Sequence, residues 1–383
     1  MDLELDESRL DDTEALAAHD PGEMLRAVAS GAAQVRVAAR AAAEAGVARL
    51  ADEGRPRAVV AAGMGGSGVA GDVLAAVCGS GCPVPVLTVR DYTLPGWVGA
   101  ADLVMAVSCS GATEETLSVA REAARRGCRL LAVGAAGSPL ADVATQAGGV
   151  FVPVESAGQP RSTLWGLAIP LVAAAAELRL FDPGPDPYET LAALLEDLAA
   201  RCGPATESLV NPGKVLAREL VGTVPMVWGS SPLAAVAAYR LSCQLAENAK
   251  YPSIAGALPE ADHNQVVALD GWFGADIEPV DIFRDRVEDP LGPPRLRLVL
   301  LRDTEEHPQT ARRREATARL AAERGVPISE LPAEGATPLA RLASLITVTD
   351  YASVYLALAY GIDPTPVEII DRLKAEIADP SSE

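Results

Sequence analysis

From Pro56 onward, short apolar runs alternate with segments of helical spacing, and this alternation restricts the possible folds more than anything else in the chain. Apolar runs at 58–62, 84–89, 103–107, 130–133 and 150–153 read as strands, with a helix over 69–77 and another over 113–126. Runs apolar on both faces, joined through helices, imply a parallel sheet covered on both sides. The same grammar returns later, with a strand at 224–228, a helix over 233–250, a strand at 297–301 and helices over 309–324 and 338–360. The second half therefore reads as a degenerate repeat of the first, giving an α/β fold with two parallel sheets flanked by helices and facing each other across a cleft. Asp182-Pro183-Gly184-Pro185-Asp186-Pro187 can continue neither a helix nor a central strand, so the domain boundary is expected there, with domains 1–183 and 184–383. Residues 1–20 are acidic and poorly periodic and are expected to fray. Residues 21–53 read as helix, and two helical segments, 188–202 and 205–218, follow the linker.

Composition narrows the class. With 383 residues, 49% of them hydrophobic, the chain is too large for a disulfide-stapled miniature and too apolar for disorder. Lysine plus arginine number 32 against 52 acidic residues, a net charge of −20 that repels nucleic acid and anionic membrane, and no basic stripe offsets it. The six cysteines stand singly in apolar or Ala-rich surroundings, with no CxxC pair and no His at zinc-ligand spacing, and read as small buried hydrophobes. The acidic start is unlike a signal peptide, and the run from Leu164 to Ala176 is too short to span a bilayer, so a cytoplasmic protein is expected. Only Lys214, Lys250 and Lys374 are lysines. In a chain that otherwise writes Arg, a Lys marks a place that needs a compact ammonium, unless the three are ordinary survivors.

Two loops carry the chemical signal. Gly63-Met64-Gly65-Gly66-Ser67-Gly68 follows a strand and opens a helix, where glycines admit a ligand to the backbone and free N–H groups favour an anion. Taken alone it also fits a purely structural turn, or a dinucleotide fingerprint with Asp91 placed for a ribose. In the next module, Ser108-Cys109-Ser110-Gly111-Ala112-Thr113 crowds three hydroxyls at a helix mouth. N-capping explains one of them. A phosphate held by hydroxyls, amides and the helix dipole explains all three, and a nicotinamide enzyme has no use for this second cradle.

Together with Gln159-Pro160-Arg161, Glu247-Asn248-Ala249-Lys250, His263-Asn264 and the stretch from Asp363-Pro364-Thr365-Pro366-Val367 to Leu373-Lys374, these loops resemble the bifunctional phosphoglucose/phosphomannose isomerases of the sugar isomerase (SIS) domain superfamily. The resemblance runs from about residue 55 to 375, with the motifs in order. It implies two SIS-type domains, a hexose 6-phosphate substrate, isomerisation between aldose and ketose through an enediolate, and no cofactor. It further implies Glu247 as the base, His263 as the ring-opening residue supplied by the neighbouring subunit of a homodimer, Lys374 near the ring oxygen, and Arg161 as stabiliser of the enediolate charge. By the same resemblance, Ser67, Ser108, Ser110 and Thr113 match the phosphate ligands, Gly65 and Gly66 would give backbone approach to the sugar, and Thr365 lies in a turn that could contact the ring. Asp262 and Glu260 adjoin His263 and could raise its basicity, or could serve only to solubilise the loop.

Each residue has a plainer reading. Glu247 could pair with Lys250 in solvent, His263 could be a polar loop residue, Arg161 a surface cation and Lys374 a helix-end cation. Ala246 and Ala112 depart from the family pattern, which has Asn and a polar residue there. Three scattered histidines and no paired carboxylate motif argue against a zinc-type isomerase. The alternatives are a non-catalytic sugar-phosphate sensor on the same fold, which has no use for Glu247, His263 and Lys374 together, and a nucleotide-dependent dehydrogenase, which leaves the second loop unexplained.

Overall fold

Two all-parallel sheets carry the chain. The structure, a computed structural model, describes residues 7–155, 158–274 and 295–378. The first sheet has β1 (Val59–Ala62), β2 (Val86–Val89), β3 (Leu103–Ser108), β4 (Arg129–Gly134) and β5 (Val150–Pro153) in the order β2-β1-β3-β4-β5. The second has β6 (Thr223–Gly229), β7 (Ile254–Ala257), β8 (Arg295–Arg302) and β9 (Ile328–Pro332) in the order β7-β6-β8-β9. Every residue of β1 and β3 is buried, which is why these strands read as unbroken apolar runs. In both sheets the strand order reverses beside the first strand, between β1 and β3 and between β6 and β8. Loops leaving the carboxyl ends of such strands splay apart and form a crevice.

Alternate residues serve different cores. Val59, Ala61, Met105 and Val107 join an apolar cluster that continues through helices Gly65–Cys78, Leu164–Glu177, Pro232–Asn248 and Pro338–Ala359 to Val227, Val299 and Leu301 of the second sheet. Val60, Val104 and Ala106 face the opposite way, under helices Glu114–Arg125 and Pro139–Gln146. Met226, Trp228, Leu298 and Leu300 form the outer core of the second sheet. The sheets thus share one inner layer of helices. Pro338–Ala359 is long and apolar enough to cross a bilayer by length and composition, and its apolar window is wholly buried inside the fold.

Several expectations need correction. The described part of the acidic lead-in does not fray: Leu10 and Leu16 are fully buried, and Asp11 accepts from the Ser208 amide and hydroxyl, both at 2.7 Å. The Ser208 hydroxyl bond draws the Asp11 pKa down. The 21–53 segment is divided into helices Met24–Ala29 and Gly31–Ala45 and a 3-10 turn Val47–Ala51, broken at Gly46, whose φ is +73°. The helix after β1 begins at Gly65 instead of Val69, so most of the first glycine loop is a first helical turn. The helix expected over 205–218 spans Pro212–Leu220, with Asn211 as its cap. Strands β7 and β9 were not foreseen.

Candidate active site

The two signalled loops leave β1 and β3 side by side at the point where the first sheet's strand order reverses. Gly63 is required there, because a Cβ would stand 2.9 Å from both the Val107 carbonyl and the Ser67 backbone. Gly65 has φ +52° and open space where a side chain would be, so its backbone faces the crevice. Neither following helix is capped by a side chain: Met64 and Thr113 occupy the cap positions, and neither bonds the first-turn amides. Apart from the Ser67 amide, which donates to the Met64 carbonyl at 3.0 Å, those N–H groups remain available to an anion.

The hydroxyls that could have capped are turned toward one another. Ser108 Oγ lies 2.9 Å from Thr113 Oγ1 and 3.5 Å from Ser110 Oγ, with Ser108 buried, Thr113 half-buried and Ser110 exposed. Ser110 Oγ accepts from the Ala112 amide at 3.2 Å, and Ser67 Oγ accepts from the Cys109 amide at 3.4 Å, which stitches the loops together. Ser67, Ser108, Ser110 and Thr113 are therefore brought into one patch.

Arg161 links that patch to the second half of the chain. It sits in the turn Pro160–Ser162, directly against Gly66, where an added Cβ would be 3.6 Å from its Cα. Only 5% exposed, it is not the surface cation of the plainer reading. Its Nε donates to Asn248 Oδ1 at 2.7 Å, and its Nη2 donates to the carbonyls of Pro364 and Thr365 at 2.7 and 2.9 Å. Its Nη1 approaches Glu247 Oε2 at 3.7 Å. Burial lowers the Arg161 pKa, against the pull of Glu247 and Asp363.

Glu247 lies in the last turn of helix Pro232–Asn248 with its side chain 30% exposed, and its carboxylate faces Arg161 instead of Lys250. Lys250, at φ +55°, curls back to donate to the carbonyls of Glu247, Asn248, Asp363 and Pro364 at 2.9–3.4 Å. Burial, then the charge of Arg161, lowers its pKa. Lys214 behaves alike: fully buried, it donates to the carbonyls of Pro204 and Thr206 at 2.8 and 2.7 Å. At both positions a compact ammonium gathers backbone oxygens, whereas Lys374 is exposed.

His263 and Lys374 are not brought to this cluster within one chain. His263, exposed, ends the 3-10 turn Glu260–His263, whose Ala261 is buried, and Lys374 lies exposed on the terminal helix Glu368–Ala378. Acidic support for His263 is absent among the described residues. Asp262 accepts from the Thr317 hydroxyl at 2.8 Å and faces Arg313, while Glu260 accepts from Asn264 at 2.8 Å. Thr365 contributes its carbonyl to Arg161, and its hydroxyl is buried without a partner, packed against Gly22. Asp91, exposed, accepts from the Tyr92 amide at 2.5 Å in its own turn. No group of three or more His, Cys, Asp or Glu side chains arranged to hold a metal ion occurs among the described residues.

What the sequence reading missed is the support around Arg161. Arg240, Gln244 and Asn248 are each buried and stand four residues apart on one helix, and all three bond Arg161. A polar stripe at helical spacing in an otherwise Ala- and Leu-rich helix was the available signal.

Comparison with known proteins identifies the family and the fold. The model of the bacterial phospho-glucose isomerase C-terminal SIS domain matches residues 209–377. A curated bifunctional phosphoglucose/phosphomannose isomerase of Caldicellulosiruptor bescii is 35% identical over 321 residues, covering 84% of this chain and 89% of the relative. One from Aquifex aeolicus is 34% identical over 322 residues, covering 84% and 90%. Among solved structures, a hypothetical protein of Thermus thermophilus superposes with a TM-score of 0.66 at 15% identity, over 97% of this chain and 95% of that one, a likeness of fold alone. With two crevice loops, a cross-sheet arginine and relatives of this identity and coverage, the chain belongs to the bifunctional phosphoglucose/phosphomannose isomerase family.

Proposed function

We propose that this chain interconverts glucose 6-phosphate or mannose 6-phosphate with fructose 6-phosphate. The observation that carries the reading is the chain of contact from the hydroxyl patch through Gly66 to Arg161 and on to Glu247 at 3.7 Å. The phosphate dianion is received by Ser67, Ser108, Ser110 and Thr113 and by the uncapped helix amides, which suits a protein of this net charge because no extra cation is needed. Gly65 and Gly66 admit the sugar backbone-close. The Glu247 carboxylate takes the proton from C2 of the open-chain aldose and returns it to C1, while the hydroxyl proton passes from O2 to O1. The negative charge that develops on O1 and O2 of the enediolate meets the fixed guanidinium of Arg161, already in place before reaction.

Ring opening needs a group that moves protons between O5 and O1 near neutrality, a task assigned to His263. Its exposure supports a role at a neighbouring subunit's site, within a homodimer whose sites are shared. Lys374, also exposed, is assigned to the ring-oxygen region on the same basis.

The test is fructose 6-phosphate formation from each hexose phosphate, with EDTA present, for wild type and Glu247→Gln. Wild type turns over, and the variant loses on the order of 10²-fold or more in kcat as general-base catalysis is removed. Undiminished turnover in Glu247→Gln refutes the base, and a wild type that binds both sugars without converting either is a sensor. Shared sites have their own signature: an equal mixture of inactive Glu247→Gln and His263→Ala chains regains about a quarter of wild-type activity on subunit exchange, because half the dimers carry one intact site.

A further inference from the structure

We propose that Arg240 and Asp350 are positioning residues, an ion pair that sets the place of the Arg161 guanidinium beside Glu247 and thereby governs kcat. The proposal rests on the isomerase reading above and deepens it. Arg161 belongs to a three-residue turn, so the place of its guanidinium depends on how that turn's backbone is held. Arg240 Nη2 donates to the Arg161 carbonyl at 2.9 Å, and Gln244 Nε2 donates to the same oxygen at 3.4 Å. Asn248, one turn further along the same face, accepts from Arg161 Nε through Oδ1 at 2.7 Å. Backbone and side chain of Arg161 are thus gripped by one helical stripe.

A second layer fixes the stripe. Asp350 accepts from Arg240 Nε at 2.9 Å and from Nη2 at 2.7 Å, so a single Arg240 nitrogen serves both Asp350 and the Arg161 carbonyl. Three residues on, the Ser353 hydroxyl accepts from Asn248 Nδ2 at 2.9 Å and donates to the Asp350 carbonyl at 2.7 Å. Arg240 and Asp350 are 2% and 7% exposed. An ion pair that far from water is a poor way to gain stability compared with apolar residues of like volume, and its best-attested use is to specify one arrangement. Here the arrangement specified is that of the arginine facing the proposed base. Lysine cannot substitute, because only the guanidinium fork reaches two carboxylate oxygens and a carbonyl together.

The experiment is kinetics and a crystal structure of Arg240→Lys, with Gln244→Met as a milder variant that changes no charge. A folded Arg240→Lys is expected to lose about tenfold to a hundredfold in kcat, the scale of a misplacement near 1 Å, with KM for fructose 6-phosphate within about threefold of wild type. In an Arg161→Ala background the same substitution lowers kcat by less than about twofold, since a residue acting through Arg161 has nothing left to position. A folded Arg240→Lys with wild-type kcat, or one whose full loss persists without Arg161, overturns the proposal. If Arg240→Lys does not fold, Gln244→Met is judged by the same cycle, with an expected loss of about twofold to fivefold. A wild type that converts no hexose phosphate defeats the isomerase reading alone. Positioning is then read from the structures: displacement of Arg161 Nη1 from its 3.7 Å approach to Glu247 supports it, and an unmoved guanidinium overturns it.

Discussion

The two sheets reverse strand order in the same way, yet their crevices are finished in opposite fashions. Beside β1 and β3, both helices start without a side-chain cap and the hydroxyls of Ser108, Ser110 and Thr113 bond one another. Beside β6 and β8, the comparable groups among the described residues are occupied. Ser231 caps helix Pro232–Asn248 by accepting from Ala234, and Ser230 accepts from the Asp303 amide at 2.9 Å. His307 caps helix Pro308–Glu323. Asp303, 3% exposed, holds Arg341 at 2.7 Å, and Arg341 also meets Glu305 at 3.0 Å. Caps and carboxylates already engaged leave the described residues of this crevice with fewer free donors than those of the first. The topology supplies a place for a ligand, and the donors left unspent decide whether one is taken. The second sheet contributes instead through the far end of its first helix, where Glu247 and Asn248 reach Arg161.

The comparison breaks most decisively if the first crevice is made to resemble the second. Ser110→Asp places a carboxylate at the exposed edge of the hydroxyl patch. It is expected to raise KM for hexose phosphate on the order of 10²-fold or more, since like charges brought together cost several kcal/mol. Steady-state kinetics across a range of salt reads it; an unchanged KM would mean the phosphate sits elsewhere. A mirrored pair of milder changes sharpens the contrast. Thr113→Ala removes a hydroxyl that caps nothing but meets buried Ser108 at 2.9 Å, so it is expected to raise KM about tenfold and to lower the urea midpoint somewhat. Ser231→Ala removes a working cap, so it costs about 1 kcal/mol in urea unfolding with KM unaltered.

The smallest effect concerns acid. Glu122, on the helix that follows β3, is held down to about 2 by hydrogen bonds from Arg125 and Arg126. A carboxyl whose folded pKa lies below its ordinary 4.5 contributes stability in full above that value and loses it as pH falls toward 2. The urea midpoint should therefore drop between about pH 5.5 and 3, slightly less so in Glu122→Gln. Identical pH profiles for the two proteins would remove this pair from the account.

Sequence reading succeeded where the determining contacts are local. The strands of the first sheet are bracketed by turns, and its central strands are buried on both faces, so their apolar runs are unmistakable. Edge strand β7 is Ile254-Ala255-Gly256-Ala257, too small-sided to stand out, and β9 carries Ser329 and Glu330 in its middle. The loop hydroxyls were legible because glycines and serines within six residues define them. The grip on Arg161 was not, because it gathers segments near 161, 240–248, 350–353 and 364–365, whose meeting depends on the tertiary fold. Lead-in residues looked loose for the same reason: Asp11 is tied by Ser208, 197 positions away.

The bond between Arg161 Nε and Asn248 Oδ1 spans the two halves of the molecule. On the function proposed above, a gene cut between them would part the hydroxyl patch from the carboxylate of Glu247, and any redesign that shortens the protein has to keep the seam.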